Sequence, residues 1–390
     1  MSCAARPDTS FDERRSELDE RPLIFKKFPG LRGHVEWIAL GEYPTPVEKM
    51  PGVCQAKGLE ALYIKRDDIS SPFYGGNKVR KLEFVLADAK ARGHQTLITF
   101  GAVGSNHVLA TVVHGERLGM ETIAVLMPQP NASYVRKNLL LDYAHGARFI
   151  LTHSPTAQPI GFLEGMIRGY DGSARKFPYV IPPGGSNVLG TIGYVDAALE
   201  LKSQVDAGIL PEPDFIFVTY GSGSTAAGLI LGAGLAGLKS EVVPVRVVDK
   251  VMCNRYILAR HVNSAARFLN EHDPGAGARE VHPRDILFVD DFAGETYAKF
   301  TREGMDAVAL ARDCDSISLE GTYTGKTFAA ALDFMKRNRL EKRTALFWNT
   351  YNSTDLSDTT SGIDYHELPE GLHRYFEEPV QDDRFFQNSL

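Results

Sequence analysis

The feature that most constrains this chain is a repeated alternation of short β-rich runs with longer helical patterns. "ALYIKRDD" reads as a strand ending in charge, and "KVRKLEFVLADAKARG" as a helix closed by Gly93. "TLITFGAVGSNH" gives a strand and a turn, and "VLATVVHGERLG" the helix after it. "TIAVLM" is a strand, "SYVRKNLLLDYAHG" a helix ending at Gly146, and "ARFILTH" a further strand. "FIFVTY", "VVPVRVV" and "ALFWNT" follow as strands. Strands alternating with helices build parallel βαβ units whose sheets are covered on both faces. At 390 residues the chain exceeds one ordinary core, so two lobes are expected.

Charge and cysteine usage narrow the class. There are 43 basic against 49 acidic residues, a formal net charge of -6, without the basic excess of a nucleic-acid binder. Cys3, Cys54, Cys253 and Cys314 are scattered with no C-x-x-C, which reads as reduced thiols of a cytoplasmic protein. No stretch has the roughly 18 uncharged apolar residues of a membrane span. The first 20 residues read as a charged extension without an apolar signal core. "EEPVQDDRFFQNSL" reads as an acidic surface tail, loosely ordered like the other end. "NEHDPGAGAREVHPRD" (Asn270 to Asp285) reads as an addition or mobile loop.

Three turns sit where a buried strand meets a helix, the edge at which open α/β sheets bind ligands. In "VTYGSGSTAAG" the N–H groups of Ser222, Gly223, Ser224 and Thr225 can converge on an anion, aided by hydroxyls and the helix dipole. The stretch is not a P-loop, since no Gly-Lys-Ser/Thr follows, and it lacks the dinucleotide spacing. The alternative is a tight turn that binds nothing. "GAVGSNHVLA" sets Ser105, Asn106 and His107 in a row at a helix start, which suits a carboxylate or is an ordinary N-cap. His107 and His114 share a helix face, yet no carboxylate spacing accompanies them, so no metal is expected.

The third turn, "YGGNKVRKLE" from Tyr74 to Glu83, places Lys78 behind two glycines at a helix start. Most lysines are solvated. A lysine combined with a phosphate-cradling loop and a carboxylate-sized polar turn is the set that pyridoxal 5'-phosphate (PLP) chemistry requires.

The motifs together resemble the fold-type II PLP enzymes, the tryptophan synthase β-like group, and within it the D-cysteine desulfhydrase and 1-aminocyclopropane-1-carboxylate (ACC) deaminase family. "YIKRDD", "GGNKVRKLEF", "GAVGSNH", "PPGGSNVLGTIGY", "GSGSTAAG" and "EGTYTGK" recur in family order from about Leu62 to Tyr351. The resemblance implies an α/β fold of two domains with open, twisted, mostly parallel sheets flanked by helices and the cofactor between the domains. It implies a large domain of residues 21–83 and 196–390, a small one of 84–195, and a homodimer acting on a small amino acid. It assigns Lys78 as the amine bonded to the cofactor and Asn77 as a partner of the ring oxygen. Lys81 with Ser222, Gly223, Ser224 and Thr225 would hold the phosphate. Ser105, Asn106 and His107 would meet the substrate, under Tyr323. Thr324, with Thr350 as a second hydroxyl, would face the ring nitrogen.

Departures bear on the substrate. Thr324 stands where ACC deaminases carry a glutamate, as in the desulfhydrase branch. A second tyrosine of ACC deaminases reads as replaced by Phe292 in "DDFAGETY", which argues against cyclopropane opening. Gly104 and Leu109 replace the Gln and Arg usual in desulfhydrases, and Tyr351 and Asn352 replace two glycines. The resulting expectation is a lyase that performs α,β-elimination, with D-cysteine giving pyruvate, sulfide and ammonia. Lys78 would be the base, and Ser105 or Tyr323 the proton relay. The alternatives are ACC deamination, another PLP-dependent deamination or racemisation, and a non-catalytic binding protein of the same fold.

Overall fold

The computed structural model describes residues 22–382. The charged extension over 1–20 and the end of the tail lie outside the described residues.

Two sheets organise the chain. The larger contains β1 (Val47–Lys49), β2 (Ala61–Arg66), β7 (Phe215–Tyr220), β8 (Glu241–Arg246) and β9 (Thr344–Asn349) in the order β1-β2-β9-β7-β8. Only β1 runs antiparallel, with Val47 opposite Lys65. The register of the parallel core aligns Ala61–Arg66 with Thr344–Asn349. The smaller sheet is wholly parallel, β5-β4-β3-β6, from β3 (Thr96–Ala102), β4 (Glu121–Met127), β5 (Arg148–Leu151) and β6 (Tyr179–Ile181). Every strand run read from the sequence forms a strand. The short β1 and β6 carry too little pattern to be read. Pro244 sits in β8, an edge strand, where a missing N–H is tolerated.

The helices that position the site are α1 (Lys78–Ala91), α2 (Asn106–Arg117), α3 (Ser133–Ala144), α4 (Val188–Asp206), α5 (Ser224–Ala236), α6 (Arg255–His272), α7 (Arg302–Asp315) and α8 (Thr324–Arg337). Ile192, Val195, Ala198 and Leu199 of α4 share one core with Ala226, Leu229 and Ala233 of α5 and with Ile216, Val218 and Trp348 of the larger sheet.

The charges that end "YIKRDD" are buried, and pairing explains why. Asp67 accepts from Arg80 Nε (3.0 Å) and Nη2 (2.8 Å), Trp348 Nε1 (2.7 Å) and the Tyr194 hydroxyl (2.7 Å). Glu200 of α4 accepts from Arg80 and, at 2.5 Å, from Lys65. Buried ions persist only when paired and hydrogen-bonded. This knot ties α1, two residues past Lys78, to α4 and the larger sheet.

Two expectations are corrected. Asn270–His272 belong to α6, and the following loop is held: Asn270 exchanges hydrogen bonds with Ala278, and Asn263 with Val281. It is a docked loop, because these asparagine amides satisfy its backbone groups. The stretch from Glu377 to Asp382 is also docked, on α3 and residues 298–300, rather than loose. Its acidic composition conceals a glutamine and a carbonyl-rich backbone that find partners.

Candidate active site

Lys78 opens α1, the helix that follows the Gly75–Gly76 turn. The turn is fixed from both sides: Gly76 N donates to Asp67 O (2.8 Å), and Gly75 N to the Asn352 side chain (2.7 Å). Asn352 thus supports the turn, and Tyr351 presents its carbonyl where a Cβ on Gly76 would stand. The Lys78 amine donates to Asn77 Oδ1 at 2.7 Å. Asn77 N donates to Thr350 O (3.3 Å), and its Nδ2 donates to Thr225 Oγ1 (2.9 Å).

Burial lowers the Lys78 amine to about 8, opposed by the charge of Glu320. Lys81, one turn on, is pushed well down by burial and then by Lys78. Its Nζ donates to Gly184 O at 3.1 Å. Neither amine has an ion-pair partner among the described residues.

The turn before α5 faces them. The N–H groups of Ser222, Gly223 and Thr225 donate to no acceptor among the described residues, as expected of an open helix start. Ser224 is buried, and its hydroxyl meets Ser186 Oγ at 3.2 Å. The "PPGGSN" loop closes on this turn. A Cβ on Gly184 would lie 1.9 Å from Ser222 Oγ, so only glycine permits the approach. A half-buried and a buried amine without counter-ions among the described residues, beside a turn of open N–H groups, fit a phosphorylated aldehyde.

The "GSNH" residues stand at the start of α2. Ser105 is its N-cap, accepting from Val108 N at 3.3 Å. Asn106 Oδ1 accepts from the Tyr74 hydroxyl (3.2 Å) and Asn138 Nδ2 (3.0 Å), leaving its amide nitrogen as the open donor. His107 is buried, with Nε2 2.9 Å from Thr99 Oγ1. Burial and then the two lysines push its imidazole well down, so it is neutral. His114 is buried with Nε2 3.0 Å from Tyr74 O. The described residues hold no metal-binding cluster of His, Cys, Asp or Glu.

Tyr323 lies over the anion turn, 3.8 Å from where a Gly221 Cβ would stand. Its hydroxyl is hydrogen-bonded to that of Tyr297. Tyr297 lies in "DDFAGETY", five residues beyond Phe292, and sequence reasoning passed over it. Phe292 packs on the core around Val289 and Phe328 instead. The second hydroxyl is therefore present, and the argument from Phe292 against ring opening loses its premise. A tyrosine in the same quoted stretch was the available signal.

Glu320 is the other residue missed. Its carboxylate accepts from the N–H groups of Thr322 (2.7 Å), Tyr323 (2.8 Å) and Thr324 (2.8 Å) and from the Thr324 hydroxyl (3.1 Å). Thr324 is wholly buried, its hydroxyl engaged by Glu320. Thr350 Oγ1 reaches Thr219 Oγ1 at 3.5 Å.

The other departures have plain packing reasons. A Cβ on Gly104 would lie 2.8 Å from both Tyr134 Cε2 and Val135 Cγ2. Gln129 bridges the space, accepting from Gly104 N (3.1 Å) and donating to the Tyr134 hydroxyl (2.7 Å). Leu109 is buried among Leu82, Val85 and Leu86.

An α/β fold whose parallel strands end at two lysine amines without counter-ions and a turn of open N–H groups has the parts that an enzyme working through a phosphorylated cofactor needs. The chain belongs to the pyridoxal-phosphate dependent enzyme family, whose model matches residues 38–350. It is 30% identical to an ACC deaminase homologue of known structure, over 84% of this chain and 95% of that one, with a TM-score of 0.71. A fungal L-serine ammonia-lyase from Rhizomucor miehei shares the fold at 18% identity and a TM-score of 0.55, over 86% of this chain and 98% of that one. Threonine deaminase isoform 2 from Solanum lycopersicum does so at 15% identity and 0.55, over 92% and 88%.

Proposed function

We propose that this protein is a PLP-dependent lyase that eliminates the β-substituent of a small amino acid, with D-cysteine and water giving pyruvate, sulfide and ammonia. The observation that carries the reading is the Lys78 amine, which donates to Asn77, whose own amide reaches Thr225 in the turn of open N–H groups, and which burial lowers to about 8. Such an amine exchanges protons near neutral pH, as a general base must.

Lys78 and Asn77 hold the cofactor ring, and Lys81 with the Ser222–Thr225 turn holds its phosphate. When bound, the cofactor holds the substrate amine and draws electrons from the α-carbon. The start of α2 receives the substrate carboxylate through Asn106 and the helix dipole. Neutral His107 and the N-cap Ser105 line that side. Lys78 removes the α-proton. The Tyr323 hydroxyl, partnered by Tyr297, hands a proton to the departing thiolate.

Thr324 supports elimination, because a neutral hydroxyl engaged by Glu320 stands where ACC deaminases place an acid. The Tyr297–Tyr323 pair favours a second reading, ACC deamination, since two hydroxyls then face the ring to be opened. Parallel assays with D-cysteine, L-cysteine, D-serine, β-chloro-D-alanine and ACC separate the two. Pyruvate and sulfide from D-cysteine support the first. 2-Oxobutyrate from ACC with no pyruvate from D-cysteine replaces it with the second.

The same reading divides the chain into domains of 21–83 with 196–390 and of 84–195, in keeping with strands that fall into two separate sheets. It also places the enzyme in the cytoplasm as a homodimer, which light scattering tests.

A further inference from the structure

Residues 365–382 carry no strand, yet they are built into the molecule. Leu368, Leu372 and Tyr375 are buried in a cluster with Val135 and Leu139 of α3 and with Phe300 and Met305. Arg136 of α3 donates from Nε to Tyr375 O (2.8 Å) and from Nη2 to Glu378 O (2.7 Å). Asn131 Nδ2 donates to Tyr375 O and Glu378 O, both at 2.9 Å.

Gln381 then joins two parts of the chain. Its N–H donates to Asn131 O at 3.1 Å. Its Oε1 accepts from Phe300 N at 2.9 Å, and its Nε2 donates to Ala298 O at 3.0 Å. Asp382 accepts from Ser133 N at 3.2 Å through both carboxylate oxygens. That is the start of α3, where negative charge is stabilising. Ala298 has a φ of 60°, in the left-handed region that a residue with a side chain rarely adopts. Gln381 holds the carbonyl of this strained residue.

What these ties border is the tyrosine wall of the site. Ala298 directly follows Tyr297, whose hydroxyl meets that of Tyr323. Ser133 directly precedes Tyr134, whose hydroxyl lies 2.9 Å from Thr322 Oγ1, one residue before Tyr323. One two-residue clasp thus fixes the backbone beside both tyrosines.

We propose that Gln381 and Asp382 are positioning residues that hold Tyr297 against Tyr323 and Tyr134 against the adjacent Thr322, so that this segment sets amino-acid binding without touching the cofactor's hold. The inference rests on the reading that this wall meets the substrate. Among the described residues no hydrogen bond or ion pair joins Lys78, Lys81 or the turn before α5 to the clasp, so cofactor retention is expected to survive its loss.

The test uses the full-length holoenzyme with Gln381→Ala/Asp382→Ala, and Asp382→Asn as the conservative control that keeps a capping oxygen. D- and L-alanine, which carry no leaving group, are titrated against the visible band of the bound cofactor. The double variant is expected to keep the band and to bind alanine about tenfold more weakly, in keeping with the loss of two neutral hydrogen bonds from Gln381 and one charge-assisted bond to Asp382. Asp382→Asn, which keeps Gln381 and a capping oxygen, is expected to retain most of the wild-type affinity. Amide hydrogen exchange is expected to rise at 131–136 and 297–302 in the double variant alone. Unchanged alanine affinity overturns the proposal, whether or not exchange rises. So does parallel loss of the cofactor band, which would make the clasp a support of the fold as a whole. Alanine binding requires no elimination, so failure of the proposed reaction is read separately, from the substrate assays on the wild type.

Discussion

Replacing Glu320 by glutamine tests the link between the Tyr323 helix and the Lys78 amine. The carboxylate's Oε1 accepts from Tyr323 N and Thr324 N, both at 2.8 Å, and its Oε2 from Thr322 N at 2.7 Å. An amide keeps one oxygen. Placed at Oε1, it satisfies the N–H groups of Tyr323 and Thr324 and the Thr324 hydroxyl, and sets an NH2 against the Thr322 N–H. The abandoned buried donor costs about 1–3 kcal/mol. The surviving bonds lose their charge assistance, which roughly halves them. The sum is about 2–4 kcal/mol, read as a shift of the urea midpoint. The second consequence is electrostatic. Glu320 is the charge that opposes the lowering of Lys78 from burial. Without it the amine falls further below about 8, and the midpoint for cofactor capture by the apoenzyme moves to lower pH. Rapid mixing of apoenzyme with PLP across pH 6 to 10, followed at the visible band, measures this. A glutamine variant with wild-type stability and an unmoved capture midpoint would refute the assignment of Glu320 to both tasks.

The wild-type capture rate itself should rise as pH increases through about 8 and level off above it, since protonated Lys78 cannot attack an aldehyde. Lys78→Ala should purify without the visible band and show no turnover in the substrate assays. Gly104→Ala should cost about 1–3 kcal/mol by overpacking against Tyr134 and Val135, and a double-mutant cycle with Tyr134→Ala should recover part of it. Arg80→Ala leaves Asp67 buried without its cation, while Glu200 keeps Lys65, and should cost about 3–5 kcal/mol in urea unfolding.

The fold was legible because parallel strands buried on both faces are continuous apolar runs, and "TIAVLM" or "FIFVTY" admits few other readings. The glycine-rich turns were legible for a related reason, since small residues between strand and helix have a steric purpose. Side-chain partners were not. Tyr297 escaped because position-by-position comparison stopped at Phe292, whereas the contact depends on how the loop folds back on Tyr323. Glu320 escaped because an acid before a helix reads as a routine cap, and its proximity to Lys78 comes from packing distant segments together. Lys65 read only as part of a charged strand end, because Glu200, its buried partner, lies more than 130 residues away in sequence. Gln381 stood in a charged stretch whose composition says surface, while its value lies in two backbone groups near residue 299.

The helix that presents Lys78 is immobilised on the residues that follow it: Val79, Arg80, Lys81, Leu82 and Glu83 are all buried, and Arg80 is locked to two carboxylates. The backbone under the amine therefore behaves as a fixed post. Whatever distance the nitrogen must travel between holding the cofactor and reaching an α-proton has to come from rotation about the four carbons of its own side chain. The reachable volume is a small cap centred on that post. On the proposed function, a substrate whose α-hydrogen points out of the cap would be bound and left intact, and the choice between mirror-image amino acids would follow from where the amine cannot go.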